Sequence, residues 1–240
     1  MKKCNFAILI TENYIINMAK EVIKENEAVI SAVSKTEEFL EKNKKTIWIV
    51  IAAIAVIAAI GYVCYKFAYL PAQAEAQAQM YKAEASFRDG NYELALNGDG
   101  NVLGFSQIID EYGTKAGKAV YLYAATCNLL KEEADPDAAL ALLGKYSTRD
   151  EIMAGRAEAL KGDAWCNKAE YAKAAACFEK AARLSDNVFS AGYLLKAGQA
   201  YEALGENGKA LAAYKTIKDK YTQSIEAYDI DKYITRLEVK

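Results

Sequence analysis

The residues of this chain best placed to do chemistry fall in one stretch, 93–105, which reads ELALNGDGNVLGF. Asn97, Asp99 and Asn101 alternate there like the first, third and fifth ligands of a calcium-binding loop. The match goes no further. Such a loop needs glycine at its sixth position and glutamate at its twelfth; this chain has Val102 and Ile108. A phosphate cradle would need a following G-x-x-x-x-G-K-[ST], which is absent. Gly98, Gly100 and Gly104 with Asp and Asn are ordinary turn formers. The stretch is therefore expected to be a structural interruption, with contact to a partner as its secondary role.

The remaining inventory argues against catalysis. The chain has no histidine, which removes the commonest general base and metal ligand. Its five cysteines, at 4, 64, 127, 166 and 177, show no C-x-x-C spacing, so a zinc site is not expected. Cys127, Cys166 and Cys177 fall on predicted helices, where small thiols pack; nothing in their spacing supports a Cys166–Cys177 disulfide. The formal charge of −2 supplies no basic footprint for nucleic acid. These residues point to a non-catalytic chain without metal or cofactor.

The elements that must carry any binding surface are helices. Two prolines in 240 residues, with abundant Ala, Lys, Glu and Tyr, predict an all-α protein. Residues 46–65, TIWIVIAAIAVIAAIGYVCY, hold no charge over 20 positions, the length of a spanning helix. Trp48 stands near one end and Tyr62, Tyr65 and Tyr69 near the other, as interfacial aromatics do. A transmembrane helix is expected over 46–67, in contact with lipid. Lys42, Lys44 and Lys45 precede it, and only Lys66 follows before Lys82. The positive-inside rule then places residues 1–45 in the cytoplasm and the rest outside, in the periplasm of a two-membrane bacterium.

The first residues, MKKCNFAILITENYIIN, lack the long apolar core and small-residue cleavage site of a signal peptide. Residues 1–17 are read as a mis-assigned start ahead of Met18. Within the arm, Val22, Val29, Val33 and Leu40 share one stripe, interrupted at Asn26 and Thr36. That describes a mostly solvated arm, with a short dimer or partner helix as the sharper alternative.

Beyond the span the chain repeats itself. In 155–188, Gly162, Trp165, Tyr171, Ala174 and Phe178 stand at the offsets of a helical-hairpin repeat, and in 191–221 Gly198, Tyr201, Gly205, Ala210 and Tyr214 repeat the pattern. Gly162 and Gly198 are 36 residues apart. Small residues let antiparallel helices approach, and the aromatics fill the space between hairpins. Two weaker units precede: about 76–112, with Gly90, Tyr92 and Ala95, and 118–146, whose second helix starts at Asp135-Pro136. A helix over 224–240 is expected to cap the stack, with Ile225, Tyr228, Ile230, Tyr233 and Leu237 on its apolar face.

On these residues the chain resembles the tetratricopeptide repeat superfamily: an α-solenoid of about four helical hairpins over 68–223 behind a single span. The layout, a short arm and FLEKNKK before the span with degenerate repeats beyond it, resembles the membrane-anchored family of ancillary Sec-translocon subunits. That resemblance implies partners among secretion-channel subunits, chaperones or secreted chains, and a scaffold role in secretion or envelope protein assembly at the cytoplasmic membrane. Self-association into a structural envelope protein is the alternative. By the register of such repeats, the first helices line a concave groove. Met80, Glu84, Phe87, Tyr123 and Cys127 face it from the first two units. Arg156, Asp163, Asn167, Leu195, Gln199 and Glu202 face it from the last two. Related repeats that clamp chaperone carboxylates use Lys and Asn on the first helices. Here Met80 and Glu84 stand at those places, so that clamp is not expected.

Overall fold

The computed structural model describes residues 39–239. The readings made for Cys4, for a start at Met18 and for the stripe at Val22, Val29 and Val33 lie outside the described residues. Among the described residues the secondary structure is entirely helical. The chain divides into two units, one ending at Lys66 and one beginning at Phe67.

The first unit contributes α1, over 39–64. It contains the apolar run and is long and apolar enough to cross a membrane, with none of its apolar window buried. Trp48, Ile49, Ile57 and Tyr62 are all exposed. A helix that shows apolar side chains on every face cannot be solvated by water at low cost, whereas in lipid it satisfies each backbone group internally. A π-helical turn, Tyr65–Tyr69, follows α1.

The second unit packs ten further helices: α2 (Leu70–Arg88), α3 (Tyr92–Asn97), α4 (Phe105–Tyr112), α5 (Ala119–Leu130), α6 (Pro136–Lys145), α7 (Glu151–Asn167), α8 (Tyr171–Ser185), α9 (Phe189–Ala203), α10 (Asn207–Lys220) and α11 (Ile225–Glu238). Successive helices pair as hairpins, α5 with α6, α7 with α8 and α9 with α10, and each hairpin packs on the next. α2 pairs with the short α3. Pro136 and Asp135 start α6 together: the proline occupies its first turn, and the Asp135 side chain accepts from the Ala138 N–H at 2.9 Å.

The two clearest repeats interlock identically. Gly162 lies under the Phe178 ring, so that a Cβ there would meet the ring at 2.5 Å; Gly198 lies under Tyr214 in the same way, at closer range. Both aromatics are fully buried. The turns repeat as well. Gly90, Ala169 and Gly205 adopt positive φ, at 79°, 57° and 74°. The N–H after each bonds back across the turn: Asn91 to Ser86 O, Glu170 to Trp165 O and Glu206 to Tyr201 O. The second hairpin departs from this pattern, and its turn closes instead through Asp135 N–H to Asn128 O.

The glycine-rich stretch ends α3 after six residues and α4 resumes at Phe105. Gly98 and Gly104 approach so closely that a Cβ on either would collide with the other's backbone. Asp99 Oδ1 accepts from the Asn101 and Val102 N–H groups at 2.9 and 2.8 Å, and these bonds hold its carboxyl below the ordinary value. The carboxylate is thus engaged with its own backbone, as in a turn. Phe105, Ile108 and Tyr112 are buried against α2 and α5, with Ile109 packed partly beside them.

The helix expected as a cap, α11, needs one correction. Ile230, Ile234 and Leu237 are buried with Tyr233 beside them, but Ile225 and Tyr228 are 84% and 86% exposed. At 100° per residue these two stand on the side of α11 opposite Ile230 and Ile234. The sequence reading merged two stripes.

Gly198→Ala forces the Tyr214 ring to shift. Overpacking costs about 1–3 kcal/mol, offset by the ~1 kcal/mol that Ala gains over Gly in a helix. The expected outcome is a lower melting temperature for the full chain in detergent, while Gly208→Ala, whose Cβ meets nothing within 4 Å, raises it. Ala169→Gly relieves a left-handed residue and is expected to stabilise by roughly 0.5 kcal/mol; Gly205→Ala, the same turn one repeat later, is expected to cost about 1 kcal/mol. Chemical denaturation followed by circular dichroism checks both signs.

Candidate partner-binding surface

The groove residues expected from repeat register separate into two groups. In the first, Met80 and Cys127 are core residues, 4% and 0% exposed, and the assignment of both to a groove is corrected. Their register turns them towards Leu96, Phe105 and Ile108, the apolar side chains that the inserted α3–α4 segment brings over α2 and α5. Burial pushes the Cys127 thiol up to about 12, which makes it a packing group and a poor nucleophile. Phe87 and Tyr123 are half-buried and join one aromatic cluster. Their rings are 5.2 Å apart edge to face, and Tyr123 stacks on Phe105 at 5.1 Å. Tyr92 adds an edge to Phe87 at 5.5 Å. Glu84, half-buried on α2, lies close enough to Tyr123 for its charge to add to burial in raising that phenol, against the lowering effect of Arg88.

The second group stays accessible. Arg156 and Asn167 on α7 and Gln199 on α9 are exposed. Leu195 is partly buried against the C-terminal core. Two residues that sequence reasoning did not include complete this face. Lys196 reaches from α9 to Asp163 on α7, Nζ to Oδ1 at 2.7 Å. Tyr193 is half-buried on α9, its phenol raised first by burial, with Arg156 opposing and Asp163 adding. Tyr193, Lys196 and Gln199 recur at three-residue spacing and so share one face of α9. The α7–α9 face is a band of alternating charge around a tyrosine, suited to polar contacts along a peptide.

Glu202 is less available. Its Oε1 accepts from the Tyr214 hydroxyl at 2.6 Å and from Arg236 of α11 at 2.7 Å. α11 therefore occupies that end of α9. Next to it on α9, the Tyr201 hydroxyl donates to Glu179 Oε1 on α8 at 2.9 Å. Among the repeat-signature residues, Ala95, Ala174 and Ala210 are fully buried. Trp165 and Tyr171 pack at the edge of the core, with Lys173 Nζ 4.4 Å from the Trp165 ring centroid. Cys166 and Cys177 are free thiols. Their surroundings differ: Asp163 and Lys196 for the first, Glu158, Lys161 and Lys180 for the second. Among the described residues no three His, Cys, Asp or Glu side chains converge as metal ligands do.

Comparison with protein-family models gives no match, and comparison with curated proteins gives no significant relative.

Burial, with the Glu179 hydrogen bond and charge, pushes Tyr201 up to about 12; burial and Glu202 raise Tyr214 as well. A raised pKa means that both phenols contribute stability fully below their unfolded value of about 10, and that this is lost as pH rises through the folded values. The expected outcome is a stability curve that falls above pH 10 in the parent and falls less steeply in Tyr201→Phe and Tyr214→Phe. Denaturant titrations between about pH 8 and 12 measure it.

Proposed function

We propose that this chain is a non-catalytic, membrane-tethered scaffold of the tetratricopeptide type. It binds protein partners on the outer, periplasmic side of the cytoplasmic membrane, in protein secretion or envelope protein assembly. The observation that carries the repeat reading is the doubled interlock: Gly162 with Phe178 and Gly198 with Tyr214, each pair 16 residues apart and the pairs 36 residues apart. The same period relates the turns at Ala169 and Gly205. An isolated hairpin cannot bury its apolar faces, so repeated interlocks favour a stack that presents one long surface to a partner.

The membrane reading rests on α1 and on the lysines before it. A tether confines the α7–α9 face to the vicinity of the membrane and raises its effective concentration towards other membrane-bound proteins. The ancillary Sec-translocon resemblance favours secretion-channel subunits, chaperones or emerging secreted chains as partners. One observation favours the second reading, self-association: Ile225 and Tyr228 are exposed apolar residues one turn apart at the start of α11.

Site-specific photo-crosslinking in intact cells tests both. A probe at Gln199 is expected to capture secretion-channel subunits or emerging chains, in a membrane fraction that resists carbonate extraction. A probe at Tyr228 that captures the chain itself, with nothing captured at Gln199, would establish self-association instead. Release of the chain by carbonate would overturn the tether.

A further inference from the structure

We propose that the cleft between the α2–α3 turn and the end of α5 docks a cationic segment of a partner protein, one with an aliphatic or aromatic side chain flanked by Lys or Arg. The cleft has a volume of ≈ 760 Å³ and lies between residues 90–94 and 130–133. Two leucines line it from facing elements, Leu94 at 38% and Leu130 at 53% exposure. Tyr92 forms part of the wall and is fixed by its edge contact with Phe87. The site thus offers apolar surface to a single inserted side chain.

The charge around those leucines is predominantly negative. Glu93, Glu132 and Glu133 line the cleft, against the single cation Lys131. Glu93 accepts from the Asn97 side-chain amide at 2.6 Å, a bond that leaves its charge in place. Among the described residues none of these four makes an ion pair. α5 ends at Leu130 in the wall of the cleft, and a helix C-terminus carries partial negative charge.

The imbalance extends beyond the rim. Residues 67–136 carry ten carboxylates and five Lys or Arg, whereas residues 137–239 carry fifteen of each. All the ion pairs among the described residues lie in the second stretch, from Asp137 to Glu238. The membrane-following hairpins thus lack the cations that neutralise the rest of the unit, and their field favours a positive partner. A second copy of this chain is disfavoured as occupant, since pairing this face with itself sets carboxylates against carboxylates. A bare metal ion leaves the leucines unused, and no ligand cluster gathers for it.

This inference rests on the scaffold reading in taking a protein as the partner, and it adds a site apart from the α7–α9 face. The test uses the full chain in a non-ionic detergent, with the dye-labelled peptide GKKLKKG and its charge-reversed form GEELEEG as probes. Fluorescence anisotropy is read at low salt, with binding to empty micelles subtracted. GKKLKKG is expected to bind and to weaken with added salt, while GEELEEG does not bind. Glu132→Gln combined with Glu133→Gln is expected to weaken binding about tenfold, the scale of two exposed ion contacts. Leu130→Ser is expected to weaken it several-fold, and Leu94→Ser is the second variant should Leu130→Ser melt differently from the parent. Glu206→Gln, which lies in the neutral half, is expected to change nothing.

Equal affinity for the two peptides, unchanged affinity in the double glutamine variant, or a loss on charge removal without any loss in either leucine variant would overturn the cleft. The purified assay depends on neither topology nor cellular partners. No peptide binding alongside partner capture at Gln199 removes the cleft and leaves the scaffold; peptide binding with no capture at Gln199 does the reverse.

Discussion

The second unit depends on the absence of a side chain at Gly162 and Gly198. Packed helices run about 8–10 Å apart according to the residues between them. Here each glycine lets an aromatic ring from the partner helix lie directly on its backbone. The ring, Phe178 or Tyr214, is then buried completely, a gain of about 1.5–3 kcal/mol for a side chain of this size. It also fixes the register of the hairpin, because a one-residue slip would put Lys161 or Asp163, or Ala197 or Gln199, beneath the ring. Ala174 and Ala210, one turn before each ring on the same helix, are fully buried and small. Cores built on such contacts have little slack, and the hairpins on either side inherit their position from them.

Polar contacts then tie successive hairpins together. Lys196 joins α9 to Asp163 on α7, Lys220 joins α10 to Asp186 at the end of α8, and Arg236 joins α11 to Glu202 on α9. Exposed pairs of this kind contribute at most ~1 kcal/mol each, so their role is alignment more than cohesion. The earlier hairpins are held differently, by an aromatic cluster of Phe87, Tyr92, Phe105 and Tyr123. The inserted α3–α4 segment supplies Phe105 to that cluster. The glycines of the insert therefore serve packing: they allow the chain to end α3 and return with Phe105, Ile108 and Tyr112 facing inward.

Much of this was legible in the chain. The uncharged run over 46–65 marks α1 on length and polarity alone. The period of 36 residues marks the two later hairpins, because glycine and aromatic letters recur where a close approach needs them. The candidate surface was less legible. Sequence register placed Met80 and Cys127 in a groove, and the α3–α4 segment buries them. It placed Ile225 and Tyr228 on the capping stripe, and helical geometry turns them outward. Lys196 and Tyr193 were missed because their importance comes from Asp163 and Arg156 on another helix.

The sequence by itself determined the helical class, the apolar helix, the hairpin boundaries marked by Gly90, Gly205 and Asp135-Pro136, and the turn character of the 97–104 insert. Those are local properties, set by backbone freedom, side-chain polarity and spacing within one or two turns. Only the tertiary structure decided which side chains remain on the surface, that Glu202 is taken by Arg236, and that Leu94 and Leu130 share a cleft with unpaired carboxylates. These are relations between helices 30 to 40 residues apart. They depend on how closely each hairpin can approach the next, a distance that no single helix encodes.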